Sequence, residues 1–204
     1  MRSTEPSGIY FWRLYHLINY LTFLFFCDIL VSEFPVLYRE RSVMKLILFT
    51  DERYGFSFNH RRQSSDLRAR EHLKARLAGE WLSVFMNDYT RRSLQRDGLL
   101  EEDLSFPGQA AASSVRDDAS FLEQAAAAGG WAYVENVSLT GYYHLIDEIL
   151  LYQFDKRYPA DRLFAVSLLQ GFTLTEQEVV PGNSHDEIEF SHYIRKQPGK
   201  EARL

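Results

Sequence analysis

The chain has 204 residues, 46% apolar and 15% aromatic, enough to bury one substantial core with room for one domain and an appendage. Its 28 acidic against 23 basic residues give a formal charge of -5, so it has no global attraction to phosphate backbones or anionic membranes, and any nucleic-acid contact has to be local. A single cysteine, Cys27, excludes an internal disulfide framework and a thiolate metal cage, and the six histidines lack the HxH, HxxH or HExxH spacing that sets two ligands on one face.

Residues 9–34 read IYFWRLYHLINYLTFLFFCDILVSEF, dense in aromatic and branched side chains but interrupted by Arg13, Asn19 and Asp28. The longest uncharged run, 14–27, is shorter than the roughly 20 residues that cross a bilayer, and no small-residue cleavage site follows. Residues 1–43 are therefore expected to be a hydrophobic extension, either a mis-assigned start or a membrane-associated segment, ahead of a cytoplasmic domain spanning 44–204. Met44 directly precedes the apolar domain start, and Glu40-Arg41-Ser42 can be encoded by codons containing a purine-rich ribosome-binding string.

From Met44 on, residues 46–49 form a short apolar run that predicts a buried strand. A loop follows, and Ser64 or Ser65 ahead of Asp66 supplies helix-start chemistry. Ala69, Leu73 and Leu77 then recur every fourth residue, one stripe of a helix facing the core, with Gly79 as its stop. Residues 81–86 predict a second strand, 90–94 the opening of a short helix, and 96–116, with its glycines, Pro107 and small-residue run, a long surface loop. Asp118 caps a helix through Phe121, Leu122 and the alanines 125–128, ended by Gly129-Gly130. Strands are predicted at 131–134, 149–154, 172–179 and 188–194. Strands separated by helices early, then strands alone, predict an α/β fold with a single mixed sheet, parallel at first, closed by an antiparallel C-terminal hairpin and flanked by helices.

Several spacings carry a resemblance. Asp51, Gly55 and Asn59 give a D-x-x-x-G loop with a nearby asparagine after the first strand, and Asp66-Leu67 opens the first helix. Met86-Asn87-Asp88-Tyr89-Thr90-Arg91-Arg92-Ser93-Leu94 keeps the frame of M-G-R-x-T-x-x-S-[IL]. Residues 151–154, Tyr158, Asp161 and Phe164 follow the pattern of a later strand and loop, and 172–194 a final hairpin. Together these resemble the dihydrofolate reductases over nearly all of residues 44–195. The resemblance implies that Asp66 stands where those enzymes carry the acid that hydrogen-bonds the pterin and promotes its protonation, a role suited to a carboxylate whose pKa a partly apolar cleft has raised. The plain local reading of Asp66 is a helix cap.

The departures bear on the cofactor. In the reductases a glycine and an arginine after the second strand help hold phosphate at a helix N-terminus; here Asn87 and Asp88 replace them, and a carboxylate repels phosphate. The reductases' I-G-G stretch admits close backbone approach to the ligand, and Val134-Glu135-Asn136 stands in its place, adding a second acid. The expectation is a lost NADPH site, with no cofactor and no metal. The ligand-binding candidates are Asn59, Arg61, Arg62 and Gln63, with Asp66 and His185 as the catalytic candidates, His185 as a proton donor from the turn-rich segment 181–187.

Seven basic residues, Arg53, Arg61, Arg62, Arg68, Arg70, Lys74 and Arg76, lie interleaved with Tyr54, Phe56 and Phe58 at the start of this stretch. Such residues form either a solvated, salt-bridged helix face or a clamp for phosphates and bases. The start of the domain also resembles a bacterial family sometimes labelled ribonuclease Z, but the H-x-H-x-D-H run that holds two zincs in that metallohydrolase is absent. RNA handling would then rest on Arg61, Arg62 and His185 rather than on metal-bound water. Three functional classes follow: a domain binding a small pterin- or nucleotide-like ligand, an RNA-binding or RNA-processing protein, and a structural or interaction protein.

Overall fold

The computed structural model describes residues 42–101 and 118–197. Expectations for residues 1–41, including the hydrophobic extension, and for most of the loop at 96–116 lie outside the described residues.

Strand β1 (Met44–Thr50) is an interior strand of the main sheet. It pairs in parallel with β4 (Trp131–Val134) on one side and with β5 (Ile146–Phe154) on the other. β5 pairs antiparallel with β8 (Glu187–Arg195), and β8 with β7 (Phe172–Pro181), giving the five-stranded order β4-β1-β5-β8-β7. This is the mixed α/β sheet with an antiparallel C-terminal hairpin that the element order predicts. Residues 46–49 of β1 read as an unbroken apolar run because both faces of the strand are covered there. Ile47 and Phe49 join Ala69 and Leu73 of α1 (Leu67–Arg76) and Leu94 of α2 (Asp88–Arg96) in one core. Leu46 and Leu48 join Phe121, Leu122, Ala125 and Ala126 of α3 (Ser120–Ala128) in the other.

Several local expectations are corrected. The segment expected as a loop after β1 carries two short strands, β2 (Gly55–Phe58) and β3 (Arg61–Arg62), which with β6 (Arg162–Leu163) form a small second sheet beside the single sheet expected, in the order β3-β2-β6. The strand expected over 81–86 is instead a 3-10 turn, Trp81–Ser83, followed by a single bridge. Trp81 is drawn inward, its indole donating to the Leu99 carbonyl (3.3 Å), and only Phe85 reaches the sheet edge, donating to the Trp131 carbonyl (2.7 Å) and accepting from Tyr133 N–H (2.9 Å). α1 stops at Arg76, capped by Leu77, so Gly79 lies in the turn beyond rather than ending the helix. Asp66, not Ser64 or Ser65, is the N-cap, accepting from Ala69 N–H. At α3 the N-cap is Ala119, without a side-chain bond, rather than Asp118, which stands one residue earlier and accepts from Ser120 N–H (2.9 Å); Gly129 takes the left-handed conformation (φ 64) that closes the helix as expected.

The chain leaving β4 passes to the α3 side, where Val137 and Leu139 are buried, while the chain leaving β1 reaches α1 on the opposite face. The carboxyl ends of parallel neighbours whose continuations part in this way are the usual ligand position in open α/β sheets.

Candidate functional site

Two polar clusters are built near the carboxyl ends of these strands. The first begins with the β2–β3 hairpin. Asn59 and His60 both have positive φ (50 and 60), the geometry that lets a two-residue turn match the strand twist. The Asn59 N–H donates to Asp161 (2.7 Å), tying the exposed tip to the chain before β6. Behind the tip, Arg61 is exposed and Arg62 half-buried. Arg62 N–H donates to the Tyr89 hydroxyl (3.3 Å), and its guanidinium lies 5.7 Å from the Tyr89 ring centre and 3.6 Å from Glu135 Oε2.

Glu135 follows β4 and is buried, with Oε1 held by Arg70. Arg70 projects from α1 with 1% of its surface exposed, donating to Ser93 Oγ (2.9 Å) and pairing with Asp97 as well as Glu135. The reading of the basic stretch as a solvated helix face is therefore wrong at Arg70. Burial works against its charge, but Tyr133, Glu135 and Asp97 outweigh this and raise its pKa. Asn87 caps α2 by accepting from Thr90 N–H (3.1 Å) and donates to Asn136 Oδ1 (2.8 Å), while Asp88 is paired with Arg91 and Arg92. Three buried oxygens on this side, Thr90 Oγ1, Glu135 Oε2 and the Tyr133 hydroxyl, make no hydrogen bond. Such groups are rare in folded proteins and call for an explanation.

The second cluster surrounds Asp66. Its Oδ1 caps Ala69 N–H, and its Oδ2 accepts from the N–H groups of Asn183 (2.8 Å), Ser184 (2.7 Å) and His185 (3.3 Å) in the β7–β8 loop. Asn183 reciprocates, its Oδ1 accepting from Leu67 N–H (2.7 Å). The loop comes this close because residue 182 is glycine: a Cβ there would stand 2.7 Å from Asp66 Oδ2 and press on the His185 carbonyl. Burial raises the Asp66 pKa, but the hydrogen bonds from Ser184, Ala69 and Asn183 outweigh it and lower the value to about 2. The raised pKa expected for a proton-exchanging carboxylate is thus corrected: donors aimed at Asp66 stabilise its anion.

His185 is 2% exposed and its ring stacks on Phe154, centroids 4.0 Å apart. Asp66 and His185 are brought together, Nδ1 lying 3.6 Å from Oδ2. The Ser184 hydroxyl sits between them, 3.1 Å from Nδ1 and 3.0 Å from Oδ2. On the other ring edge, Nε2 lies 3.0 Å from the Tyr158 hydroxyl and 3.3 Å from Ser64 Oγ.

Asn59 and Gln63 join neither cluster through the bonds seen; both bond to the chain ahead of β6, Gln63 donating to the Pro159 carbonyl (3.0 Å). The Asp51–Gly55 spacing has a local cause: Asp51 Oδ1 accepts from Gly55 N–H (2.8 Å) and Arg53 N–H (2.9 Å), and Oδ2 from Tyr158 N–H (3.0 Å). The sequence reading missed Arg70, Ser64, Ser184 and Tyr158 as members of these clusters. Only Arg70 carried a signal, since it adjoins Ala69 and precedes Leu73 by three residues, on the inward side of the helix.

Among the described residues no group of three His, Cys, Asp or Glu side chains could hold a metal ion, and no helix is long and apolar enough to cross a membrane. No protein-family model matches the chain, and no curated protein matches it. Among solved structures, the chain is similar to dihydrofolate reductase from Enterococcus faecalis complexed with NADP(H) and RAB-propyl, at 10% identity over 77% of this chain and 98% of that one, with a TM-score of 0.49.

Proposed function

We propose that this chain binds a small ligand of pterin or nucleotide type at the carboxyl ends of β1 and β4, without a reduced nicotinamide dinucleotide. The observation that carries the reading is Glu135: buried, charge-paired through one oxygen, with a second oxygen that makes no hydrogen bond and has Arg62 at 3.6 Å. The half-buried Arg62–Tyr89 pair beside it offers a flat surface for a ring, and a ligand edge rich in N–H donors, such as an aminopyrimidine, would meet Glu135 Oε2 and Thr90 Oγ1, both enclosed in the free chain, once the Arg62 side chain swings aside. Against a dinucleotide stand the buried Glu135 and Asn136 side chains at the end of β4, and the Thr90 N–H at the start of α2, already occupied by Asn87.

The polar contacts are assigned to Arg62, Glu135 and Thr90. Asp66 is not among them, because both its oxygens are taken by the fold. Titration calorimetry with folates, pterins, nucleotides and NADPH tests the reading. Saturable binding of a pterin or nucleotide that falls at least about tenfold in Glu135→Gln is expected, as a charged hydrogen bond contributes about 1.5–3 kcal/mol. Binding of NADPH alone overturns it. RNA binding rests on a weaker footing, because Arg62 faces Glu135 and Tyr89 and only Arg61 of the pair is exposed. RNA affinity that drops steeply with salt and with Arg61→Ala would reverse the ranking.

A further inference from the structure

We infer that Ser64, His185 and Asp66 form a nucleophilic constellation that can take an acyl group from a carboxylic ester onto Ser64 Oγ. The inference is independent of the ligand site beside Glu135 and uses none of its residues. The argument starts from the tautomer. Asp66 is an anion at any pH well above about 2 and can only accept. The Ser184 hydroxyl has carbonyl and carboxylate acceptors for its own proton, the Ser65 carbonyl at 2.9 Å and Asp66 Oδ2 at 3.0 Å, so it meets Nδ1 with a lone pair. Nδ1 therefore carries the imidazole proton. Nε2 then presents its lone pair to two hydroxyl donors, Tyr158 at 3.0 Å and Ser64 at 3.3 Å.

A serine on one nitrogen and a carboxylate behind the other is the arrangement that makes a hydroxyl nucleophilic. The burial pattern fits. The imidazole is enclosed and stacked on Phe154, whereas Ser64 and Tyr158 are half-buried, so an electrophile can approach the hydroxyls while the base stays dry. Ser184 is the spacer and not the nucleophile, since it lies on the protonated side of the ring.

The step balances without a further reactant. Ser64 Oγ forms a bond to the ester carbonyl carbon as its proton passes to Nε2. Once Nε2 is protonated, Tyr158 can no longer donate to it and turns its proton to the developing oxyanion. The acyl–oxygen bond breaks, the alcohol leaves with the proton from Nε2, and water repeats the sequence to release the acid and restore the hydroxyl. Asp66 is a positioning residue, holding the tautomer and countering the imidazolium.

A fluorophosphonate probes the pair directly, because Oγ attacks phosphorus, fluoride leaves and the proton goes to Nε2. Intact-mass spectrometry of the full chain should show one adduct, mapped to Ser64 by peptide sequencing. Ser64→Ala should remove at least 99% of it with an unchanged circular dichroism spectrum, and His185→Gln should slow labelling about 100-fold, within the range of a general base. Asp66→Asn should slow labelling and shift the midpoint of its pH–rate profile to lower pH, since the imidazolium loses its counter-charge; a merely structural role would leave that midpoint in place. If His185→Gln fails to fold, Ser64→Ala and the pH profile of the unaltered chain decide. No adduct on the folded chain, or an adduct that persists in Ser64→Ala, overturns the inference.

Discussion

Asp66 and Glu135 are two carboxylates withdrawn from water on the same side of one sheet, and they are kept there by different means. Asp66 faces backbone N–H groups from its own helix and from the β7–β8 loop, which are fixed dipoles without net charge. Glu135 faces Arg70, itself buried, so each ion depends on the other for compensation. The first arrangement fastens a loop to a helix and sets a proton affinity. The second joins α1, α2 and the end of β4 through one guanidinium, since Arg70 also meets Ser93 and Asp97. A buried charge held by dipoles tolerates the loss of one donor; a buried ion pair that loses its partner does not.

The largest expected effect follows from that difference. Arg70→Met leaves the buried Glu135 with only the half-buried Arg62 guanidinium at 3.6 Å and should lower unfolding free energy by about 3 kcal/mol in urea denaturation of the full chain. Adding Glu135→Leu to Arg70→Met should recover most of the loss. Equal losses in the single and double variants would mean that packing, not charge, dominates at Arg70.

Asp66→Asn comes next, with about 2 kcal/mol lost, because the amide group turns N–H donors toward N–H donors. The same contribution can be followed by pH. The folded-state pKa of Asp66 is about 2, below its ordinary 3.8, so the fold favours the anion. Its stabilisation is fully present above pH ~5 and drains as pH falls through about 4 and then about 2, a loss of about 2 kcal/mol by linkage. In Asp66→Asn that part of the acid limb should vanish; an unchanged limb would assign acid sensitivity elsewhere.

Gly182→Ala tests the clamp from the other side. Its Cβ meets Asp66 Oδ2 at 2.7 Å and Ile188 Cδ1 at 3.0 Å, so the loop has to retreat, at a cost of about 1–2 kcal/mol and with faster amide hydrogen exchange at Ser184 and His185. Normal exchange there would show that the loop holds without close approach. Arg62→Ala is expected to change stability least, by less than about 1 kcal/mol, because its side chain is partly solvated and its 3.6 Å contact with Glu135 is longer than a hydrogen bond. A larger loss would make Arg62, not Arg70, the compensating charge for Glu135.

The legibility of the fold and of these clusters differs for physical reasons. The apolar run 46–49, the Ala69/Leu73 stripe and the Gly129 stop are local patterns, and each appears in the structure because periodicity and backbone preference act within a few residues. The segment 81–86 misled because a short apolar run has no period of its own, and the inward turn of Trp81 depends on the Leu99 carbonyl. Arg70 misled because its type argues for solvent and only three distant partners, Ser93, Asp97 and Glu135, make burial tolerable.

By itself the sequence determined the strands of the main sheet, the helices beside it and the residue types at the carboxyl ends of β1 and β4. The tertiary structure decided which of those residues meet. Asp66 and His185 are 119 positions apart along the chain. Their approach, and the lowered proton affinity of Asp66, come from the β7–β8 loop folding its backbone N–H groups onto α1. Hydrogen bonding and burial act across space, and a pattern of neighbours in sequence does not encode them.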